Sequence, residues 1–453
     1  MTGILMSNAV TGAATGGSFK LPPSVSRTLP NGVRAYVMEY HELPLVDFQV
    51  VLGAGAAQDP KGREGLASLT AELLRKGTAK RSAKQIADAV DFVGGILGGS
   101  ADHDGTRVTA EFMAKDTDLA LELLADSVMR PAFAPEEVER QKGETVAELQ
   151  AARENPSLLT SRRFVEVLFG PHPYGHPTVG WEKAVSAITP EDVRGFHSKQ
   201  FVPGNAIVVA VGDFAAADMM TKLERTFGGW SGKRAAGTEV PEPKAAAKPG
   251  LYLIDKPDST QSQVRIGSMG IRRTDPDYIS IQVANTILGG GFTSRLVEEI
   301  RVNRSLSYGA SSRFYPLLKQ GPFLVSTFTK NETTKEIIEV ARQVMGKFRA
   351  EGPTADELDK ARKYLRGSFA IAHQSPDSMS EALAEIAFYG LPADYYDTYL
   401  DKIDKVTLQD VRRVARERFP EESLITVVLG EAKAIRADLE KLGPVTTIPL
   451  AAN

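Results

Sequence analysis

The sequence repeats itself at long range, and this repeat constrains the fold more than any other feature. The segments Ile188-Thr-Pro-Glu-Asp-Val193 and Ile207-Val-Val-Ala-Val-Gly212 recur as Val406-Thr-Leu-Gln-Asp-Val411 and Ile425-Thr-Val-Val-Leu-Gly430. Both recurrences lie 218 residues further on, from 193 to 411 and from 212 to 430. Solenoid repeats have periods of about 20–50 residues, so this offset predicts one domain-sized unit present twice in tandem.

The length agrees with this interpretation, because 453 residues exceed what one hydrophobic core usually organises. Residues 232–250, GKRAAGTEVPEPKAAAKPG, carry no periodic apolar face and predict a linker. We therefore expect an N-terminal domain over 18–231 and a C-terminal domain over 251–453. The first 17 residues are small and polar, and we expect them to form a loose tail.

Composition excludes several classes of function. The formal net charge is −3, which argues against a nucleic-acid partner. The chain has no cysteine, so thiol chemistry and every cysteine-based metal site are excluded. No apolar run approaches the roughly 20 residues of a membrane-spanning helix, and we expect no membrane span.

Each half shows strands first and helices later. In the first half, residues 33–40 and 45–52 are rich in strand formers, an amphipathic helix covers 66–76, and 96–101 with 106–112 predict a hairpin. In the second half we expect strands over 306–314 and 323–329 and a last strand over 424–429. This grouping favours an α+β fold, with a mixed or antiparallel sheet and packed helices in each half.

Residues 65–78, GLASLTAELLRKGT, resemble the zinc helix of the pitrilysin/insulinase metallopeptidases, the inverzincins. In that family the helix reads H-x-x-E-H, with two His as zinc ligands and the Glu as general base. The matching positions here are Ser68, Ala71 and Glu72. A third family ligand corresponds to Glu148, while its supporting acidic residue corresponds to Gln141. We therefore expect no catalytic zinc in this chain.

The second half contains a longer motif to which the resemblance assigns a function. Residues 288–308, LGGGFTSRLVEEIRVNRSLSY, are similar to the family pattern L-G-G-G-x-x-S-R-L-x-x-E-I-R-x-x-x-x-L-x-Y. The resemblance implies that Arg301 and Tyr308 hold the scissile carbonyl and stabilise the oxyanion, because both side chains donate hydrogen bonds. It also suggests Gly289, Gly290 and Gly291 as a loop that touches substrate, although a simple backbone turn is the alternative.

The resemblance extends over nearly the whole chain and implies two domains closed like a clam around a chamber. Small bacterial members and the mitochondrial processing peptidase pair a zinc-bearing chain with a zinc-less homologue, and this sequence is similar to the zinc-less partner. The expected function is that of the non-catalytic subunit in a heterodimeric zinc metallopeptidase. Its substrates would be extended peptides, bound by strand addition. A periplasmic location is favoured, with the cytoplasm as the alternative.

Three alternatives remain open at the level of sequence. The chain could be a structural or assembly subunit without a peptidase role, or a peptide-binding protein. It could also be a self-sufficient hydrolase that uses Glu72 and Glu148 with another metal, although two carboxylates supply too few oxygen ligands for Ca²⁺ or Mg²⁺. His172 and His176 are four residues apart, but Pro173 and Gly175 lie between them and predict a structural turn, not a helical ligand pair.

Overall fold

The structure, a computed structural model, describes residues 19–233 and 239–450. The predicted N-terminal tail over 1–17 lies outside the described residues, as do 234–238 of the predicted linker and the last three residues of the predicted C-terminal domain.

Two six-stranded mixed sheets form the centre of the described chain. Their strands are β1 (Ser24–Thr28), β2 (Arg34–Glu39), β3 (Leu45–Leu52), β4 (Ile96–Ala101), β5 (Thr106–Met113) and β6 (Ala206–Gly212) in the first sheet, and β7 (Gly250–Asp255), β8 (Gln261–Met269), β9 (Ala310–Phe314), β10 (Pro322–Lys330), β11 (Ile425–Gly430) and β12 (Val445–Ile448) in the second.

The two sheets have matching topologies. The strand orders are β1-β2-β6-β3-β5-β4 and β12-β7-β11-β8-β10-β9. The pairs β2–β6 and β7–β11 are parallel, while β3 and β8 run antiparallel to both of their neighbours. The outermost strands differ, because β1 pairs antiparallel with β2 whereas β12 pairs parallel with β7. The duplication expected from the sequence, and the α+β class, are confirmed.

The helices follow the duplicated order. They are α1 (Leu66–Leu73), α2 (Ala83–Val93), α3 (Thr117–Met129), α4 (Pro135–Ala152), α5 (Pro156–Phe169), α6 (Glu182–Ser186), α7 (Pro190–Gln200) and α8 (Ala216–Phe227), then α9 (Tyr278–Asn285), α10 (Arg295–Val297), α11 (Thr334–Glu351), α12 (Ala355–Ala372), α13 (Pro376–Tyr389), α14 (Tyr399–Lys405), α15 (Leu408–Arg418) and α16 (Ala432–Leu439). None of the helices that the structure describes is long and apolar enough to cross a bilayer.

Local sequence explains where the repeated helices begin. Thr189 and Asp192 form a reciprocal capping box at the start of α7, and Thr407 and Asp410 form the same box at α15. Each box satisfies backbone N–H groups that the first helical turn leaves without partners. The repeated motif therefore encodes the same helix start in both halves.

Each sheet is covered on one face by a helix from the other half. Helix α5 of the first half packs against β8 and β11, and α13 of the second half packs against β3 and β6. The two contacts have matching polar links: Gln49 on β3 donates to the Ser380 hydroxyl at 2.7 Å, and Arg265 on β8 donates to the Ser161 hydroxyl at 2.9 Å. The halves therefore exchange helices and share buried surface on both sides.

The described part of the predicted linker, 239–250, lies against both halves. The Ala246 amide donates to the Leu168 carbonyl at 2.8 Å, and Glu242 pairs with Arg272 and Lys319 at 3.3 and 2.9 Å. Strand β7 already begins at Gly250. The segment is thus held along its course and does not act as a free tether.

Two strand predictions were wrong. The strand expected over 306–314 starts only at Ala310, because the chain turns over 305–309, where Ser305 has a φ of 52° and the Gly309 amide donates to the Ser307 hydroxyl at 3.2 Å. The strand expected to be last is followed by β12, which pairs with the edge of β7. Short edge strands such as β12 have a weak sequence pattern of alternating apolar and polar residues. The reason is that such a strand pairs on one side only and its side chains stay partly exposed.

Candidate functional site

Helix α1, which resembles the family's zinc helix, is fixed at its N-terminus by a partly buried carboxylate. Asp59 accepts the backbone N–H groups of Gly65 and Ala67 at 2.7 and 2.8 Å. Burial raises the pKa of Asp59 to about 8, although these hydrogen bonds favour its ionised form. Gly65 has φ of 105°, and a Cβ there would lie 2.7 Å from the Val179 carbonyl oxygen. Glycine is therefore required where the loop enters the helix.

The three positions that correspond to His, Glu and His are occupied by residues with other contacts. Ser68 donates to the Thr178 carbonyl at 2.7 Å. Ala71 is fully buried and has no group that can move a proton. The Glu72 carboxylate pairs with Arg75 at 3.0 Å, one helical turn further on. The two polar side chains on this face of α1 therefore already have partners within the chain.

Helix α4 places the remaining candidate ligand on its surface. Glu148 is exposed, and Gln141, two turns earlier, is buried with an Oε1 atom that finds no hydrogen-bond partner among the described residues. Within residues 19–233 and 239–450, no group of three or more His, Asp or Glu side chains is arranged to hold a metal ion. The donor set at α1 and α4 therefore does not fit zinc, which needs three protein ligands in a catalytic site.

A free sheet edge runs beside α1. Strand β4 pairs with β5 on one side and has no strand on its other side within the described chain. At its middle the strand touches α1 so closely that a Cβ on Gly99 would lie 2.3 Å from the Ala71 carbonyl oxygen. An extended peptide added to this edge would lie next to α1.

Arg301 and Tyr308 lie on the surface of the second half. Arg301 belongs to a π-helical turn over Glu298–Asn303, where Ile300 is buried and Arg301 is exposed. Its guanidinium lies 5.0 Å from the centre of the Phe292 ring. Tyr308 is 86% exposed, and Phe292 and Val302 are 74% and 67% exposed. Neither Arg301 nor Tyr308 forms a hydrogen bond or an ion pair with any residue that the structure describes, so their donors are available to another molecule.

Comparisons with known proteins match this arrangement. Residues 37–180 match the family description "Insulinase (Peptidase family M16)", and residues 187–365 match "Peptidase M16 inactive domain". This chain belongs to the M16 peptidase family. The M16 fold is also found in a solved structure of a peptidase M16 inactive domain from Pseudomonas fluorescens, with a TM-score of 0.84 and 27% identity over 94% of this chain and 100% of that one.

Relatives of this M16 chain carry two kinds of name. An uncharacterised zinc protease of Mycobacterium leprae is 28% identical over 393 residues, which cover 86% of this chain and 88% of that protein. A protein of Helicobacter pylori described as a non-peptidase homologue is 25% identical over 382 residues, 82% of this chain and 86% of its own length. With Ser68, Ala71 and Glu72 in the zinc helix, this chain is a zinc-less member of the family.

The three glycines of the loop over 289–291 differ in how exposed they are. Gly289 is buried, and a Cβ there would lie 2.5 Å from the Ser312 amide nitrogen on β9. Gly290 is exposed and Gly291 is partly buried. Gly289 thus lets a π-helical turn pass close to the sheet, and only Gly290 and Gly291 present backbone to solvent.

A buried cluster that sequence reasoning missed joins the two halves near α1. Tyr174 is fully buried and donates to Asp104, whose second oxygen accepts the Leu318 amide at 2.7 Å. His103 contacts the His176 carbonyl at 3.0 Å, and His172 contacts the Pro241 carbonyl at 3.0 Å. The histidine rings therefore serve packing and loop structure. A buried tyrosine hydroxyl and a carboxylate 70 residues apart in the sequence leave no local pattern that would have predicted this contact.

Proposed function

We propose that this chain is the zinc-less subunit of a heterodimeric M16 metallopeptidase and that it contributes Arg301 and Tyr308 to a site shared with its partner. The observation that carries the proposal is the contrast between the two halves. The zinc-helix positions are Ser68, Ala71 and Glu72, whereas the Arg301 and Tyr308 side chains are exposed and have unused donors.

The exposed pair supports a role in contact with substrate. A guanidinium and a phenol can both donate to the oxygen of a peptide carbonyl, and their attraction grows as negative charge develops on that oxygen. The partner subunit would hold zinc, which activates the attacking water. In this chain, Arg301 and Tyr308 would bind and orient the carbonyl, while the free edge of β4 offers backbone hydrogen bonds to an extended peptide.

The name of the Helicobacter relative supports the same assignment, because that protein is described as a non-peptidase homologue. The matched M16 inactive domain supports it as well. For the compartment we propose the periplasm, which rests only on the family resemblance.

The first experiment is affinity purification of this chain from its native cells, followed by mass-spectrometric sequencing of the proteins that co-purify. We expect a homologue of similar length, near one-to-one, with an H-x-x-E-H helix. Recovery of this chain without such a homologue would overturn the shared-site proposal and favour a structural or peptide-binding role.

The second experiment measures peptide hydrolysis by the reconstituted pair. We expect the isolated chain to be inactive and the pair to be active, and Arg301→Ala to lower kcat by about 10²–10³ because one donor to the oxyanion is lost. Tyr308→Phe removes only the hydroxyl and is expected to act in the same direction. Val302→Ala is the matched control, since Val302 is an exposed neighbour without a donor. An unchanged kcat in Arg301→Ala would refute the oxyanion role.

A further inference from the structure

A cavity of about 440 Å³ lies between the α4–α5 helix pair and the segment around α6. It shares a loop with the former zinc helix, because it is lined by Gly180 and Ser68 is bonded to Thr178 two residues earlier. It also includes Leu149, which directly follows Glu148 on α4. The cavity thus borders the loop that Ser68 contacts, and its lining includes none of the residues assigned above.

Two neighbouring guanidinium groups in the cavity have unused donors. Arg163 is only 5% exposed; it pairs with Glu166 through one terminal nitrogen, while its Nε–H is buried without an acceptor in the described chain. Arg162 is partly buried and forms no hydrogen bond or ion pair with any described residue. Burial lowers the pKa of Arg162, as expected for a cation without a counter-charge. A buried N–H group without an acceptor lowers the stability of the folded chain, and a ligand that supplies an acceptor removes this cost.

The acidic groups beside the cavity are already balanced. Glu182 accepts from Arg153, and from Gln150 at 2.9 Å. Glu166 is engaged by Arg163. The remaining positive charges are Arg162 and the exposed Lys183, which also lines the cavity. This small excess of positive charge suits a singly charged carboxylate. A multiply charged phosphate would be repelled more strongly by the two nearby Glu side chains.

The rest of the lining is largely apolar. It includes Leu149, Leu159, Trp181 and Leu450. A cavity with an apolar wall and a few convergent polar groups is typical of sites that bind small organic groups. A ligand that matches this lining carries an apolar side chain next to a carboxylate.

We propose that this cavity binds a carboxylate-bearing segment of a peptide, with the partly exposed Arg162 guanidinium as the donor and the leucine and tryptophan side chains as the apolar part of the lining. The choice of a peptide rests on the proposed function; the binding itself requires only this chain. Acidic side chains and a peptide's own C-terminal carboxylate share this chemistry, and the test separates them.

The experiment measures binding of three fluorescent pentapeptides to the isolated full chain by anisotropy. The first is dansyl-Ala-Leu-Glu-Leu-Ala-amide, the second replaces Glu with Gln, and the third is the Gln peptide with a free C-terminal carboxylate. We expect at least one carboxylate peptide to bind about 10-fold more tightly than the Gln amide, equivalent to about 1.4 kcal/mol. A preference for the first peptide identifies a side-chain carboxylate, and a preference for the third identifies the terminal one.

Arg162→Gln is expected to abolish this preference, and Arg162→Lys to retain part of it because the charge remains. Arg225→Gln is the matched control, since Arg225 is an exposed helix arginine on α8, away from the cavity. Equal dissociation constants for all three peptides, an unchanged preference in Arg162→Gln, or no binding up to about 10 mM would each overturn the proposal. Because no partner and no catalysis are needed, failure here would leave the shared-site proposal standing, and failure of peptide hydrolysis would leave this binding result intact.

Discussion

The exchange of helices between the two halves predicts that a single substitution in the second half destabilises the first. Leu383 on α13 is 3% exposed and belongs to a cluster formed mainly by residues of the first sheet. Its partners there are Met38, Val51, Ile207, Val209 and Val211. Replacement of Leu383 by Ala would therefore open a cavity against β3 and β6, although the residue lies in the second half of the sequence.

The expected cost is about 2–5 kcal/mol, the range for a buried Leu→Ala change, because the lost transfer free energy adds to that of the cavity. With a urea m-value of about 3 kcal/mol/M, the unfolding midpoint would fall by about 0.7–1.7 M. The two tryptophans, Trp181 and Trp230, both lie in the first half, so their fluorescence follows the unfolding of that half. We expect Leu383→Ala to lower the midpoint measured by tryptophan fluorescence.

The control is Ile371→Ala on α12, because Ile371 is 74% exposed and its truncation leaves no cavity. We expect its free energy of unfolding to stay within about 0.5 kcal/mol of that of the wild type. Far-UV circular dichroism follows both halves together. A Leu383→Ala variant whose dichroism midpoint falls while its tryptophan midpoint stays unchanged would refute a shared core and show that the halves unfold independently.

Two further predictions concern charge and metal. Burial raises the pKa of Asp47 to about 7, above its unfolded value of about 4, so its contribution to stability is present below pH 4 and is lost as the pH rises through 7. In urea titrations we therefore expect the free energy of unfolding of Asp47→Asn to exceed that of the wild type by up to about 4 kcal/mol at pH 8 and to match it near pH 4. A difference that stays constant across pH would contradict this cause. The double variant Ser68→His with Glu72→His places two imidazoles four residues apart on α1, with Glu148 as a third ligand. We expect this variant to retain one zinc ion per chain after dialysis and to lose it when Glu148→Gln is added. Retention of zinc by the wild type would contradict the conclusion that its own residues do not hold the metal.

Much of the fold follows from local sequence, because the decisive signals are short. The capping boxes that begin α2, α7 and α15 each lie within four residues. The hairpin of β4 and β5 and the full span of β3 follow in the same way from strand formers next to a turn. These elements need no information from distant parts of the chain.

The helix exchange could not be predicted from sequence. The apolar faces of α5 and α13 show that both helices are buried, but periodicity does not say which sheet each one covers. Leu383 would satisfy the pattern equally well against its own half. The choice depends on tertiary packing, and the same holds for the Tyr174–Asp104 contact, whose partners are far apart in sequence. For the candidate site, sequence supplied the residue identities, whereas the exposure of Arg301 and the cavity at Arg162 depend on the assembled fold.

Helix α1 and the segment around Arg301 differ in how much their side chains contribute to the core of this chain, and this difference bears on function. Helix α1 is held by Leu66, Leu69 and Leu73, which are buried, whereas Ser68 and Glu72, at the two ligand positions, are only partly buried. The helix can therefore lose metal ligands without losing its packing. The segment from Phe292 to Tyr308 presents three large exposed apolar side chains and an unpaired Arg301, which contribute little to this chain's own core. An exposed apolar group around a cation is typical of a contact surface, so the packing of this chain does not explain these side chains, and the proposed contact with a substrate or a second subunit would.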